Sequence, residues 1–264
     1  MQIADIGHIR LHYRIDGPDH GLPVVFSNSL GTELRLWDPL LPHLPDGLRI
    51  LRYDRRGHGL SDAPEAPYGM GQLVRDTEGL LDHLGWRDCV FVGLSIGGMV
   101  AQGLAVKRPE LIRAMVLSNT AARIGTAEMW QDRIKTARAE GLAALTAPTM
   151  ERWFSPDFRK GPELALWQNM FQATPLEGWT GCAAAIAGSD FYTSTSGLRL
   201  PLLGIGADRD GSTPPDLVRE TTELVQGARF ALIRRAGHLP HVEQPEAYAA
   251  TLTGFLRDSG VISS

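Results

Sequence analysis

The side chain best suited to nucleophilic chemistry belongs to Ser95, at the centre of residues 93–98 (Gly-Leu-Ser-Ile-Gly-Gly). An apolar stretch, 89–92, leads into this motif, and residues 99–107 can form a helix directly after it. Glycines two positions before and after the serine let a strand and a helix approach too closely for a Cβ. We therefore interpret the motif as a sharp strand–turn–helix that exposes the Ser95 hydroxyl. The alternative is a glycine-rich turn with an incidental serine.

A serine hydroxyl is a weak nucleophile, so it needs a base that takes its proton and a third group that orients the base. Two later loops offer these groups, because the first contains Asp208 and Asp210 and the second contains His238. Parallel strands would bring both loops to the sheet edge where the serine lies. We expect His238 to be the base, since the Ala-Gly before it makes a flexible turn, whereas His241 directly precedes the last predicted helix. Both aspartates are candidates for the acid.

Negative charge that develops on a carbonyl oxygen needs two hydrogen-bond donors that are fixed in advance. The amide of Ile96, directly after the nucleophile, is one candidate. Residues 28–31 (Asn-Ser-Leu-Gly) follow an apolar strand, and their small side chains would bring the backbone close to Ser95. We expect the amide of Leu30 to be the second donor. The alternative is that this loop only connects a strand to a helix.

Eight predicted strands position these loops. The first two form a hairpin within residues 2–15, where polar and apolar residues alternate, and the other six are short apolar runs that alternate with helices. A helix is expected over residues 33–41 in the first of the following connections. This order predicts an α/β fold with a mostly parallel sheet that helices cover on both faces.

Residues 121–197 interrupt the alternation of strands and helices. They contain no buried-strand pattern, and four of the six tryptophans of the chain lie among them. We expect a helical lid here, inserted after the sixth strand and lying over the carboxyl edge of the sheet. Residues 1–120 and 198–264 would then form one core domain.

Composition and charge narrow the possible function classes. The net charge of −4 offers no basic surface for nucleic acid. The glycines near Ser95 lack the spacing of nucleotide-binding loops, and the two cysteines lack metal-site spacing, so we expect neither cofactor nor metal. No run reaches the roughly 18 apolar residues of a membrane span, and the first residues do not resemble a signal peptide. We expect a cytoplasmic protein with free thiols and no membrane contact, and the sequence leaves its oligomeric state open.

Four motifs in this order resemble those of the α/β-hydrolase superfamily. They comprise residues 54–59, 93–98, 206–214 and 237–245. The resemblance covers the sheet on both sides of the expected lid and implies a triad in the order Ser95, Asp210, His238. Asp210 is preferred to Asp208 because the acid of this family often precedes a Thr-Pro pair. One departure is that most relatives carry His-Gly where this chain has Asn-Ser, at the start of the loop that contains Leu30.

That departure is itself informative. Residues 28–32 (Asn-Ser-Leu-Gly-Thr), residues 34–38 (Leu-Arg-Leu-Trp-Asp) and residues 151–156 (Glu-Arg-Trp-Phe-Ser-Pro) are similar to the 3-oxoadipate enol-lactonases. This resemblance implies that the substrate is a small enol lactone with a carboxylate. Its hydrolysis to 3-oxoadipate, through an acyl-enzyme, would belong to the β-ketoadipate pathway of aromatic-compound breakdown.

A substrate carboxylate needs a cation near the nucleophile, and arginine can bind it in bidentate geometry. The expected lid offers Arg133, Arg138 and Arg152. We favour Arg133, with Trp153 as a wall of the pocket. The alternative for each arginine is a solvated helix face.

Other functions are compatible with the same motifs. The nearest are a general carboxylesterase, a hydrolase of carbon–carbon bonds and a perhydrolase. A protein that only senses a small ligand belongs to a different class, and the complete serine, aspartate and histidine set argues against it.

Overall fold

The computed structural model describes residues 1–262 and contains the eight expected strands. In chain order they are Gln2–Asp5 (β1), Arg10–Asp16 (β2), Leu22–Ser27 (β3), Leu48–Tyr53 (β4), Cys89–Leu94 (β5), Ile112–Ser118 (β6), Leu202–Ala207 (β7) and Arg229–Ile233 (β8). They form a single sheet in the order β1-β2-β4-β3-β5-β6-β7-β8. β2 pairs antiparallel with β1 and β4, and all other neighbours are parallel. The predicted α/β-hydrolase fold, with its mostly parallel sheet, is confirmed.

The helices lie in the connections between the parallel strands and, for the last two, after β8. They are Met70–Leu84 (α1), Ile96–Lys107 (α2), Ala127–Glu140 (α3), Ala143–Trp153 (α4), Leu164–Gln172 (α5), Leu176–Ala187 (α6), Tyr192–Ser196 (α7), Pro215–Glu223 (α8), Pro240–Glu243 (α9) and Pro245–Asp258 (α10). α2 begins three residues earlier than expected, directly after Ser95. Within residues 1–262, no helix has both the length and the apolar character needed to cross a membrane.

The centre of the sheet is buried on both faces. All six residues of β5 are buried, as are all six of β7, and such continuous apolar runs are typical of parallel strands that helices cover on both sides. Cys89 opens β5, and both it and Cys182 are buried free thiols. The sheet therefore provides the rigid framework from whose carboxyl edge the functional loops project.

One expected helix, over residues 33–41, is wrong. The chain instead forms two short 3-10 turns, Leu34–Trp37 and Leu41–His43. Pro39 explains the difference, because it has no N–H to donate to the carbonyl of Arg35 four residues earlier. The amide of Asp38 donates to that carbonyl instead, at 3.0 Å, in the tighter i to i−3 pattern.

The stretch 121–197, all of it described, forms α3 to α7 and no strand. Its four tryptophans are buried, and they belong to the same hydrophobic cluster as the side chains of the sheet. They are Trp130, Trp153, Trp167 and Trp179. This packing joins the helices to the main core.

Candidate active site

The turn at Ser95 is as sharp as its glycines suggest. Ser95 lies between β5 and α2 with φ 57° and ψ −121°, a conformation that residues with a Cβ rarely adopt. A Cβ at Gly93 would lie 2.4 Å from the carbonyl oxygen of Gly97, and one at Gly97 would lie 2.2 Å from that of Ser27. Only glycine fits at either position, so the motif holds the Ser95 backbone in this strained turn.

Asp210 and His238 meet at the same edge of the sheet. They lie on the loops after β7 and β8, and the Nδ1 atom of His238 is 2.9 Å from Oδ2 of Asp210. Both side chains are buried. Asp208 contacts neither of them and accepts a hydrogen bond from the amide of Ala236 at 3.4 Å. Of the two aspartates, Asp210 is therefore the one that can orient His238.

The Asp210 carboxylate is held by several donors besides His238. Oδ1 accepts from the amides of Ser212 (2.7 Å) and Thr213 (3.0 Å), while Oδ2 accepts from Thr213 Oγ1 (2.7 Å) and Asn119 Nδ2 (2.8 Å). Burial opposes ionisation of this carboxyl, yet the charge of His238 and the donated hydrogen bonds hold its pKa below the ordinary value. Asp210 is therefore an anion that can stabilise the protonated imidazole.

Asn119 is a contributor that the sequence analysis missed. It directly follows β6 with φ 44°, a value that asparagine tolerates better than most residues. Its amide group donates to Asp210, and its backbone N–H donates to the carbonyl of Ile205 in β7 at 2.8 Å. A polar residue at the carboxyl end of a strand beside β7 is the signal that could have identified it.

The loop that contains Leu30 is shaped by buried polar contacts. Asn28 accepts from Trp37 Nε1 at 2.8 Å and donates through Nδ2 to the carbonyl of Tyr53 at 2.9 Å. The Nε2 atom of His58 accepts from the amide of Gly31 at 3.0 Å. Burial, with the charge of Arg55, lowers the pKa of His58 to about 3, so the ring stays neutral and can accept.

This loop and the start of α2 each leave one backbone donor unused. Within residues 1–262, the amides of Leu30 and Ile96 donate to no protein acceptor. Leu30 lines the same cavity as Ser95, and Ile96 is the first residue of α2, where amides have no partner within the helix. Both groups are free to bind an oxyanion, and the helix N-terminus favours negative charge there.

A cavity of about 140 Å³ contains the Ser95 and His238 side chains. Ser29 also lines it, with its Oγ 3.5 Å from the Nε2 atom of His238. On the opposite side the wall comes from α3, α4, α5 and α6, including Trp153 and Phe171. The cavity is small and mostly apolar, which suits a small cyclic substrate better than a long chain.

Two arginines give this cavity a positive charge. Arg133 and Arg152 both line it and are half-buried, and within residues 1–262 neither forms an ion pair with a carboxylate. Arg133 lies over the Trp130 ring at 4.9 Å, and Arg152 donates to Thr149 at 3.1 Å. Burial, with the charge of Arg133, lowers the pKa of Arg152 to about 10. Both remain charged at neutral pH and can attract an anion.

Arg138, the third arginine considered from the sequence, is placed differently. It pairs with Glu177 at 3.0 Å, is exposed, and does not line the cavity. In the described part of the chain, no group of three or more His, Cys, Asp or Glu side chains has the arrangement of a metal site.

The chain is similar to known hydrolases in sequence and in overall fold. The sequence model of the Alpha/beta hydrolase family matches residues 20–251. 3-Oxoadipate enol-lactonase 2 of Acinetobacter baylyi is 34% identical over 251 residues, which cover 91% of this chain and 90% of that protein. The crystal structure of the enol-lactonase from Burkholderia xenovorans LB400 superposes with a TM-score of 0.93 at 39% identity, covering 97% of this chain and 99% of that one.

An esterase has a similar fold as well. The thermophilic esterase from Thermogutta terrifontis, in a structure with malate bound, has a TM-score of 0.90 at 28% identity and covers 98% of this chain and 99% of its own. The sequence resemblance to enol-lactonases is thus confirmed, and hydrolases of other esters are also near. The protein is a hydrolase, and the chain belongs to the alpha/beta hydrolase family.

Proposed function

We propose that this hydrolase converts 3-oxoadipate enol-lactone to 3-oxoadipate, as a step in the breakdown of aromatic compounds. The observation that carries the proposal is the pair of arginines, Arg133 and Arg152, that share a small cavity with Ser95 and have no carboxylate partner in the described chain. A lactone that bears a carboxylate would supply the missing negative charge. The enol-lactonases at 34% and 39% identity support the same substrate class.

The first half of the proposed reaction forms an acyl-enzyme. His238 takes the proton of Ser95 as the hydroxyl oxygen attacks the lactone carbonyl, and Asp210 stabilises the resulting imidazolium. The amides of Leu30 and Ile96 hold the oxyanion of the tetrahedral intermediate. Collapse of this intermediate breaks the ring C–O bond, and the departing oxygen is an enolate. An enolate leaves more readily than an alkoxide, and it becomes a ketone when a carbon takes up the proton that His238 received from Ser95, which leaves the imidazole neutral again.

The second half releases the product. His238 takes a proton from a water molecule, whose oxygen attacks the ester carbonyl of the acyl-enzyme. The same two amides stabilise the second oxyanion, and the proton returns from His238 to Ser95 as the C–O bond breaks. None of these steps requires a metal or a cofactor.

The remaining assignments concern the substrate and its surroundings. We assign the substrate carboxylate to Arg133, with the Trp153 ring as a wall, because the Arg133 guanidinium is held over Trp130 and keeps its donors available. Residues 121–197 would act as a lid over the cavity. Two buried free thiols suit a reducing compartment, so we place the protein in the cytoplasm.

The direct test compares two substrates. Wild-type protein should hydrolyse 3-oxoadipate enol-lactone, followed as loss of ultraviolet absorbance, with a higher kcat/KM than it shows for neutral p-nitrophenyl esters. Ser95→Ala should lower kcat roughly 10³- to 10⁶-fold for both. A clear preference for the esters would assign the protein to the esterases, for which the Thermogutta relative is the supporting observation.

A further inference from the structure

Four segments of the chain meet beside His238 at what we call the seam: residues 152–155, residues 210–211, residues 237–238 and Glu243. The first segment is the end of α4, which carries two cavity-lining side chains, Arg152 and Trp153. The next two are the loops of the acid and the base. Glu243 is the last residue of α9.

Backbone hydrogen bonds join the end of α4 to both catalytic loops. The amide of Gly211 donates to the carbonyl of Arg152 at 3.1 Å, and the amide of His238 donates to that of Trp153 at 2.8 Å. The second bond involves the backbone of the base itself. A displacement of the Trp153 backbone therefore either moves His238 or breaks this bond.

The backbones at the seam are also in direct contact. A Cβ at Gly237 would lie 2.3 Å from the carbonyl oxygen of Trp153, and a Cβ at Gly211 would lie 3.0 Å from the Cα of Arg152. The loops can approach α4 this closely only because both positions are glycine. A side chain at either glycine would therefore force the loop away from the end of α4.

The Glu243 carboxylate bridges the same two sides. Oε1 accepts from the amide of Gly237 at 2.7 Å, and Oε2 accepts from the amide of Ser155 at 3.1 Å. The side chain is half-buried, and within residues 1–262 no arginine or lysine forms an ion pair with it. Burial is the main reason that its pKa is raised. Removing a carboxylate even partly from water without a cation is costly, and hydrogen bonds from the two backbone amides offset that cost here.

We propose that Glu243 is a positioning residue that holds the His238 loop and residues 152–155, of which Arg152 and Trp153 line the cavity, in one fixed arrangement. It acts through Gly237 on one side and Ser155 on the other, and it does not contact the cavity. The end of α4 is thereby a fixed part of the catalytic framework, even if the other helices of residues 121–197 move.

The inference rests on the proposed roles of Ser95 and His238, which labelling of the wild-type protein checks first. The test uses two measurements that do not depend on the substrate, so an incorrect choice of lactone would not change its outcome. The first is the rate at which a fluorophosphonate labels Ser95, which requires a correctly placed His238. The second is amide hydrogen exchange, followed by mass spectrometry, in peptides that contain residues 152–155 and 236–238. The variants are Glu243→Ala and Glu243→Gln. The control is Glu246→Ala, which changes an exposed carboxylate three residues away in α10.

Glu243→Ala should slow labelling about 10- to 100-fold, since a displacement of about 1 Å in a catalytic group has this effect, and both peptides should exchange faster. Glu243→Gln keeps one acceptor oxygen, so it should recover part of the labelling rate and part of the protection from exchange. Glu246→Ala should match wild type in both measurements. Labelling of Glu243→Ala at the wild-type rate overturns the proposal, as does faster exchange in only one of the two peptides. If the alanine variant does not fold, the glutamine variant decides, and wild-type values for it overturn the proposal equally.

Discussion

At the scale of single residues, location and ion pairing distinguish Arg133 from Arg138. Both lie on α3, but only Arg133 lines the cavity, whereas Arg138 pairs with Glu177 outside it. A hydrogen bond between charged groups contributes about 1.5–3 kcal/mol. A substrate anion bound by Arg133 should therefore lose that much binding when the guanidinium is removed, and a neutral substrate should lose almost none.

We predict that Arg133→Ala raises KM for 3-oxoadipate enol-lactone by roughly 10- to 100-fold and changes KM for a neutral p-nitrophenyl ester less than about twofold. Arg138→Ala is the matched control and should leave both values unchanged. Steady-state kinetics of the two variants with both substrates test this prediction. An equal loss on the two substrates would contradict the assignment. If KM for the lactone rose selectively in Arg152→Ala and not in Arg133→Ala, the substrate carboxylate would be assigned to Arg152 instead.

The sequence predicted the elements that form the site better than the residues that support it. β5, β7 and β8 are short apolar runs, so their ends and the loops after them are visible in the sequence, and so is the glycine pattern around Ser95. Asn119 is also a polar residue directly after an apolar run, but the sequence alone does not place it beside Asp210. Its contact with Asp210 depends on β6 lying beside β7, which sequence order alone does not establish.

Glu243 and residues 33–41 show two further reasons for the limits of sequence analysis. Glu243 accepts hydrogen bonds from the amides of Gly237, six residues before it, and of Ser155, 88 residues before it, and backbone amides leave no residue-type signature. The expected helix at 33–41 had a suitable apolar pattern, but Pro39 removed a donor from its centre. The missing amide N–H favours the tighter 3-10 turn that the chain forms there.

At the scale of elements, the core and residues 121–197 approach each other closely at α6. A Cβ at Gly178 would be 1.7 Å from the carbonyl oxygen of Gly57, which lies on the loop after β4. That loop also contains His58, whose ring accepts from the amide of Gly31 beside Leu30. The position of α6 is therefore linked to the backbone that supplies one of the two proposed oxyanion donors.

We predict that Gly178→Ala destabilises the protein by about 2–3 kcal/mol, because backbone atoms on both sides leave no room for a methyl group. The thermal midpoint should fall by roughly 4–12 °C for a chain of this size. Gly188→Ala, at the other end of α6, is the control, since the nearest atom to its Cβ would be 3.6 Å away. Midpoints of the two variants within 1–2 °C of each other would contradict the predicted clash.

At the scale of the whole molecule, two buried histidines make stability depend on pH. His58 and His241 are each fully buried, and burial is the main reason that the pKa of each is lowered to about 3. In the unfolded chain a histidine has a pKa of about 6.5. Between pH 6.5 and 3 the unfolded state therefore binds more protons than the folded state, and the free energy of unfolding falls as the pH falls.

His241 allows this effect to be measured separately from the active site. Its ring stacks on Trp37 at a centroid distance of 4.3 Å and lies edge-on to Tyr248 at 5.6 Å, so a phenyl ring can take its place. Between pH 7 and pH 5, the linkage expected from a shift of this size is about 2 kcal/mol for each histidine. Most carboxylates stay ionised over this interval, and those with raised pKa values, such as Glu243, are the same in both proteins.

We predict that His241→Phe loses about 2 kcal/mol less stability than wild type when the pH is lowered from 7 to 5. The measurement is urea unfolding of both proteins at the two pH values. Comparing each protein with itself at pH 7 removes the effect of the substitution on packing. Parallel losses in the two proteins would show that His241 already takes up a proton in the folded state, and that the stacked site beside Trp37 is more open to water than its burial indicates.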